Sequence, residues 1–137
     1  MSLDMLLLAR ARLERTGLRH CSVRQGDIYD LALPKDSFDV VIIHQVLHFL
    51  ADPGRALIEA ARVLAPGGKL IVVEFAPHTL EHLRTEHAHR HLGVSEADMA
   101  RWADRAGLTV KAAKTFGAPG GEKGISVMVW SATSQKA

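Results

Sequence analysis

Residues 38–75 read FDVVIIHQVLHFLADPGRALIEAARVLAPGGKLIVVEF. Phe38 to Ile43 is almost wholly apolar and β-branched, the pattern of a strand buried on both faces. Lys69 to Phe75 repeats that pattern. Between them, Gln45 to Leu50 reads as a short helical stretch. Asp52 is an N-cap residue type and Pro53 suits a first helical turn. Ala56, Leu57, Ala60 and Leu64 then recur on one helical face until Pro66-Gly67-Gly68 stops the helix. Strand, helix, strand at this spacing is a βαβ unit, and it predicts an α/β fold with a parallel sheet.

On the amino-terminal side, Leu3 to Arg15 predicts a helix with Gly17 as its stop. His20 to Gln25 predicts a short strand, with Cys21 and Val23 on one face. Gly26-Asp27 ends it, and Asp30 to Ser37, with Pro34, is a loop. On the other side, Thr79 to His91 predicts a polar, histidine-rich helix. Ser95 to Ala106 predicts another, with Ser95 and Asp98 spaced as a capping box and Gly107 as its stop. Leu108 to Phe116 and Ile125 to Ser131 predict two strands. Gly117 to Gly124 joins them, so the pair is antiparallel. No loop is long enough to divide the chain, and a single domain over residues 1–137 is expected.

Composition narrows the function classes. At 47% hydrophobic and 23% charged residues, the chain is of the soluble globular kind. Seventeen basic against fifteen acidic residues leave a net charge of +2 with no basic block, so no nucleic-acid contact is expected. The apolar runs are too short to span a bilayer, and the start carries no basic n-region, so no membrane association is expected. The single cysteine, Cys21, excludes an internal disulfide and fits a reducing cytoplasm.

Four segments then stand out in order: Gly26-Asp27-Ile28; Leu33 to Val41; Val46-Leu47-His48-Phe49-Leu50; and Arg62 to Leu70. Together they resemble successive motifs of the class I S-adenosylmethionine (SAM)-dependent methyltransferases. The run from His44 to His91 is similar to the methyltransferase half of bacterial proteins that fuse an ArsR-type regulator to a methyltransferase. The resemblance implies a Rossmann-like fold with sheet order 3-2-1-4-5-7-6, of which this chain would supply strands 3 to 7. Strands 1 and 2 would be missing, because the chain has neither the family's Gly-x-Gly-x-Gly loop nor the acidic residue that holds the ribose.

Open parallel sheets bind ligands at the carboxyl ends of their strands, where Asp27 and His44 are expected. The resemblance assigns Asp27 to the adenine amino group, the Ile28 amide to a ring nitrogen, Gly26 to the same motif and Met5 to adenine packing. His44, just past a buried strand, is expected either at the methionine part of SAM or facing the substrate and is the candidate general base, and Gln45 is expected among the cofactor-binding residues. His48, His87 and His91 are assigned to the substrate pocket, for a small-molecule methyl acceptor. Plainer readings stand beside these: Asp27 as a turn residue, Met5 as helix core, and His48 as a core side chain satisfying a backbone carbonyl.

His87 and His91, four apart, have metal-ligand spacing, with His82 near their face and His89 away from it. No third ligand stands at a compelling spacing, so no metal is expected. The absent ribose carboxylate would accept two charge-assisted hydrogen bonds worth roughly 1.5–3 kcal/mol each, so SAM binding by this chain alone is expected to be weak or absent. Without strand 1, Phe38 to Ile43 would have a bare apolar edge that invites pairing with a second chain. A homodimer is expected, either of an enzyme or of an inactive truncated fragment.

Overall fold

The computed structural model describes residues 2–78, 84–85, 90–117 and 125–137. The chain falls into two compact units, Met1–Ala32 and Leu33–Ala137.

In the first unit, α1 spans Leu3–Thr16. The Ser2 hydroxyl accepts from the Met5 amide at its start, and Gly17, at φ 68°, closes its end in the left-handed region. Leu6 is its one buried residue. Residues 20–25, expected as a strand, form no regular structure. A strand needs a neighbour for its backbone groups, and this unit offers none. The segment is tied instead by Arg10, whose guanidinium donates to the Val23 carbonyl at 3.2 Å.

The second unit is built on a four-stranded mixed sheet. Its strands are β1 (Phe38–His44), β2 (Leu64–Phe75), β3 (Leu108–Phe116) and β4 (Val127–Ser134). They lie in the order β1-β2-β4-β3. β1 and β2 are parallel, joined through α2 (Pro53–Val63), while β4 runs antiparallel to both β2 and β3. Asp52 caps α2 by accepting from the Arg55 amide, with Pro53 at the first turn. Ser95 caps α3 (Glu96–Arg105) by accepting from the Asp98 amide at 3.1 Å.

Side chains along β2 and β4 alternate in burial. Leu70, Val72 and Glu74 are buried, and so are Met128, Trp130 and Ala132 opposite them. Leu57, Ala60, Val63 and Met99 of α2 and α3 are buried as well; α2 packs on β2 and on α3, and α3 on β3. Trp102 of α3 lies so close to α2 that a Cβ on Gly54 would stand 2.9 Å from its ring.

The two-sided burial expected for Phe38 to Ile43 does not hold. Ile43 is buried, but Val40 is 51% and Ile42 62% exposed. β1 is the terminal strand of the sheet, and only the face shared with Leu70 and Val72 is covered. Among the described residues no helix is long and apolar enough to cross a membrane.

Lys136 closes the carboxyl end of α2. Its ammonium donates to the carbonyls of Ala61 (2.8 Å), Arg62 (3.0 Å) and Leu64 (2.9 Å) and to Asp36 Oδ1 (2.5 Å). A cation on the last carbonyls of a helix satisfies acceptors that the helix itself leaves open. Lys136→Met is therefore expected to lower stability by about 1–2 kcal/mol, read by urea unfolding. The hydrogen bond from Lys136 holds the Asp36 carboxyl below its ordinary 3.8, outweighing burial, and the charges of Lys136 and Lys35 add to it. A depressed carboxyl stabilises the fold above its unfolded value and loses that contribution as pH falls through its folded value. The melting difference between wild type and Asp36→Asn should thus be full at neutral pH and shrink below about pH 4. A difference that grows in acid would contradict the pairing.

Candidate functional site

The carboxyl ends of β1 and β2 lie side by side, with His44 in register with Val73. His44 is exposed. Gln45 leaves the strand in the left-handed region, at φ 55°, while its amide still donates to the Val73 carbonyl at 2.8 Å. A non-glycine residue in that region is strained and is held there by its surroundings. The side-chain oxygen of Gln45 is buried and has no hydrogen-bond partner among the described residues. Such orphaned acceptors are rare in folded proteins.

A 3-10 turn, Leu47–Phe49, follows, pinned by fully buried Leu47. Its middle residue, His48, is 2% exposed, and its ring faces Glu74, which is 0% exposed. The ring Nδ1 lies 2.5 Å from Glu74 Oε1, with one proton between them. The His48 amide donates to Glu74 Oε2 at 3.3 Å, and the Phe75 amide to Oε1 at 2.9 Å. Phe49 and Phe75 flank the imidazole at 4.1 and 5.0 Å between ring centroids. The His48 carbonyl in turn accepts from the amides of Arg90 (2.8 Å) and His91 (3.0 Å). His91 is half-buried, and its Nε2 donates to the Leu50 carbonyl at 3.0 Å.

Of the residues singled out in the sequence, His44, Gln45, His48 and His91 thus gather at one end of the second unit's sheet. His48 and His91 spend ring nitrogens on protein groups there. His87 and most of the expected Thr79–His91 helix lie outside the described residues; Arg84 and Thr85 are helical, while Arg90 and His91, at its expected end, lie in a bend. Among the described residues no group of three or more histidine, cysteine or acidic side chains is placed to hold a metal.

Met5, Gly26, Asp27 and Ile28 belong to the first unit. Asp27 is exposed and forms a tight turn: its Oδ1 accepts from the Tyr29 amide at 2.8 Å and its carbonyl from the Asp30 amide at 3.1 Å. Ile28 is half-buried. A Cβ at Gly26 would meet nothing within 4 Å, so its glycine is not required sterically. Met5 is 71% exposed. It lines an open groove with Leu8, Leu13, Leu18 and Val23 rather than packing as helix core.

The sequence reading missed Glu74. Its signal was parity: it shares the core face of β2 with Leu70 and Val72, where an acid is out of place without a partner.

Residues 1–72 match the family described as "Methyltransferase domain". An uncharacterized methyltransferase of Schizosaccharomyces pombe is 48% identical over 56 residues, covering 41% of this chain and 20% of that protein. The ubiquinone/menaquinone biosynthesis C-methyltransferase UbiE of Vibrio parahaemolyticus is 38% identical over 81 residues, 58% of this chain and 31% of that protein. The matched region thus spans about a third or less of these relatives. Among solved structures, a SAM-dependent methyltransferase of Aquifex aeolicus superposes with a TM-score of 0.73 at 20% identity, over 96% of this chain and 64% of that one. That likeness, at low identity, shows a shared α/β fold. With more than half its length inside the family match, the chain belongs to the methyltransferase domain family.

Proposed function

We propose that the chain forms part of a cytoplasmic SAM-dependent methyltransferase that acts on a small molecule. The observation that carries this reading is the family match over residues 1–72, which takes in Asp27, Ile28 and the whole turn from His44 to Phe49. The sheet supports it, since β1-β2-β4-β3 follows the 4-5-7-6 end of the family order. The kinship to ArsR-linked enzymes, with strands 1 and 2 outside this chain, is part of the same proposal.

SAM carries its methyl group on a sulfonium and supplies it to a nucleophile. The orphaned oxygen of Gln45 fits a hydrogen-bond donor on such a ligand. We assign Asp27 and Ile28 to the adenine edge, since the Tyr29 amide engages only one of the two Asp27 carboxylate oxygens. His44 is assigned as the base that takes a proton from the methyl acceptor. An acceptor that is already anionic needs no base, and positioning alone then drives transfer. The Gly-x-Gly-x-Gly floor and the ribose acid are not in this sequence, so the fit is partial.

Titration of the chain with S-adenosylhomocysteine, followed by NMR, is expected to show binding with Kd above about 100 μM, because two charge-assisted hydrogen bonds are lost. Asp27→Ala should weaken it further. No shift of any resonance at millimolar ligand would sink the cofactor assignment for this chain.

A second reading, an inactive homodimer joined through β1, is favoured by the contrast between the two sheet edges. β3 carries Lys111 and Lys114, charges of the kind that protect an edge, while both edge strands have one register shift. β1 has no lysine and exposes Val40 and Ile42. Light scattering should then report a dimer, and Ile42→Lys a monomer. A wild-type monomer at every concentration would count against it.

A further inference from the structure

We propose that Glu74, acting through His48, is a positioning residue for the site at the carboxyl ends of β1 and β2. This rests on the reading of His44 and Gln45 as site residues.

The position calls for an apolar side chain. Glu74 continues the buried row of Leu70 and Val72 and is itself 0% exposed. Burying a carboxyl group is unfavourable unless it is hydrogen-bonded, and a well-packed apolar side chain would fill the position without that cost. What the carboxylate supplies instead is direction. It accepts three hydrogen bonds: from the His48 amide, from the His48 ring and from the Phe75 amide. Backbone and side chain of one residue are therefore both fixed against the end of β2.

Two consequences follow along the chain. The turn containing His48 begins at Gln45, whose left-handed backbone is stable only if the turn behind it is held. The His48 carbonyl receives the amides of Arg90 and His91, and the His91 ring closes the circuit on Leu50. One buried acid thus links three pieces distant in sequence: the end of β2, the turn after β1 and residues 90–91. An apolar residue at position 74 fills the same volume and orients none of them.

The test compares amide hydrogen exchange in wild type and Glu74→Gln. The amide side chain keeps the size but offers one acceptor oxygen where the carboxylate offers two. Exchange at Gln45, Arg90 and His91 should accelerate about tenfold or more, while Trp130 and Ala132 of β4 keep their wild-type rates. Unchanged exchange at the three turn amides overturns the proposal, as does a uniform acceleration across β4, which marks a residue serving only global stability.

If Glu74→Gln does not fold, His48→Gln and His48→Leu take its place. The glutamine amide can donate to Glu74, so protection at Arg90 and His91 should return with Gln and not with Leu. Equal behaviour of the two overturns the proposal. S-adenosylhomocysteine titration of a folded variant adds a functional readout, with about tenfold weaker binding expected. A wild type that binds none, yet shows the exchange pattern, removes the cofactor reading and leaves the positioning intact.

Discussion

Glu74→Ala is expected to lower the unfolding free energy by about 3–5 kcal/mol, since it removes the shared acceptor of a buried hydrogen-bonded cluster and leaves a void. The carboxylate accepts three hydrogen bonds, so its loss takes this acceptor from the His48 amide and ring, where the side chain is 2% exposed, and from the amide of half-buried Phe75. Each unsatisfied buried donor costs about 1–3 kcal/mol, and the vacated volume adds to that. A domain of this size has about 5–15 kcal/mol in all, so the variant should unfold at markedly lower urea. Glu74→Gln keeps one acceptor and the volume, and should lose less than half as much. A loss below about 1 kcal/mol for Glu74→Ala would mean that water reaches the donors and that the pair is not sealed.

The same pair shows where sequence reading stops. Its members lie 26 residues apart, and hydrophobic periodicity reports which face a residue occupies, not what it meets there. Local chemistry was legible. Asp52-Pro53 and Ser95 announced the starts of α2 and α3, and Gly17 the end of α1, because caps depend only on neighbouring residues. The parallel β1–β2 pair and the antiparallel β3–β4 pair followed from connection length. Residues 20–25 failed because a strand is a property of its partner as much as of its own residues. β1 failed in burial for the related reason that an apolar run does not say which side of a sheet is covered. At the site, topology alone brought His44 and Gln45 to a strand end. The left-handed turn at Gln45 and its orphaned oxygen had no signal in residue type, since glutamine is not a residue that favours φ 55°.

Gly93→Ala is expected to be the other severe substitution, at about 3 kcal/mol or more. Gly93 sits at φ 83°, where an alanine is strained by about 1 kcal/mol even in open space. Here the space is closed as well. A Cβ would overlap the Ala76 carbonyl oxygen and stand 2.5 Å from its carbon and 2.7 Å from the Pro77 nitrogen. These are backbone atoms of the segment leaving β2, and they are held on both sides. The His78 amide donates to the Leu92 carbonyl at 3.1 Å, and the Val94 amide to the Phe75 carbonyl at 2.8 Å. Val94 is itself 1% exposed, so neither strand of the crossing can retreat without uncovering core. Gly17 provides the control: at φ 68° it has the same strain, but a Cβ there meets nothing within 4 Å. Gly17→Ala should therefore cost only about 1 kcal/mol. Thermal unfolding of the two variants separates backbone strain from collision, because the difference between them measures the collision alone. Equal losses would show that the Gly93 crossing can open, and that Val94 is not the fixed anchor its burial implies.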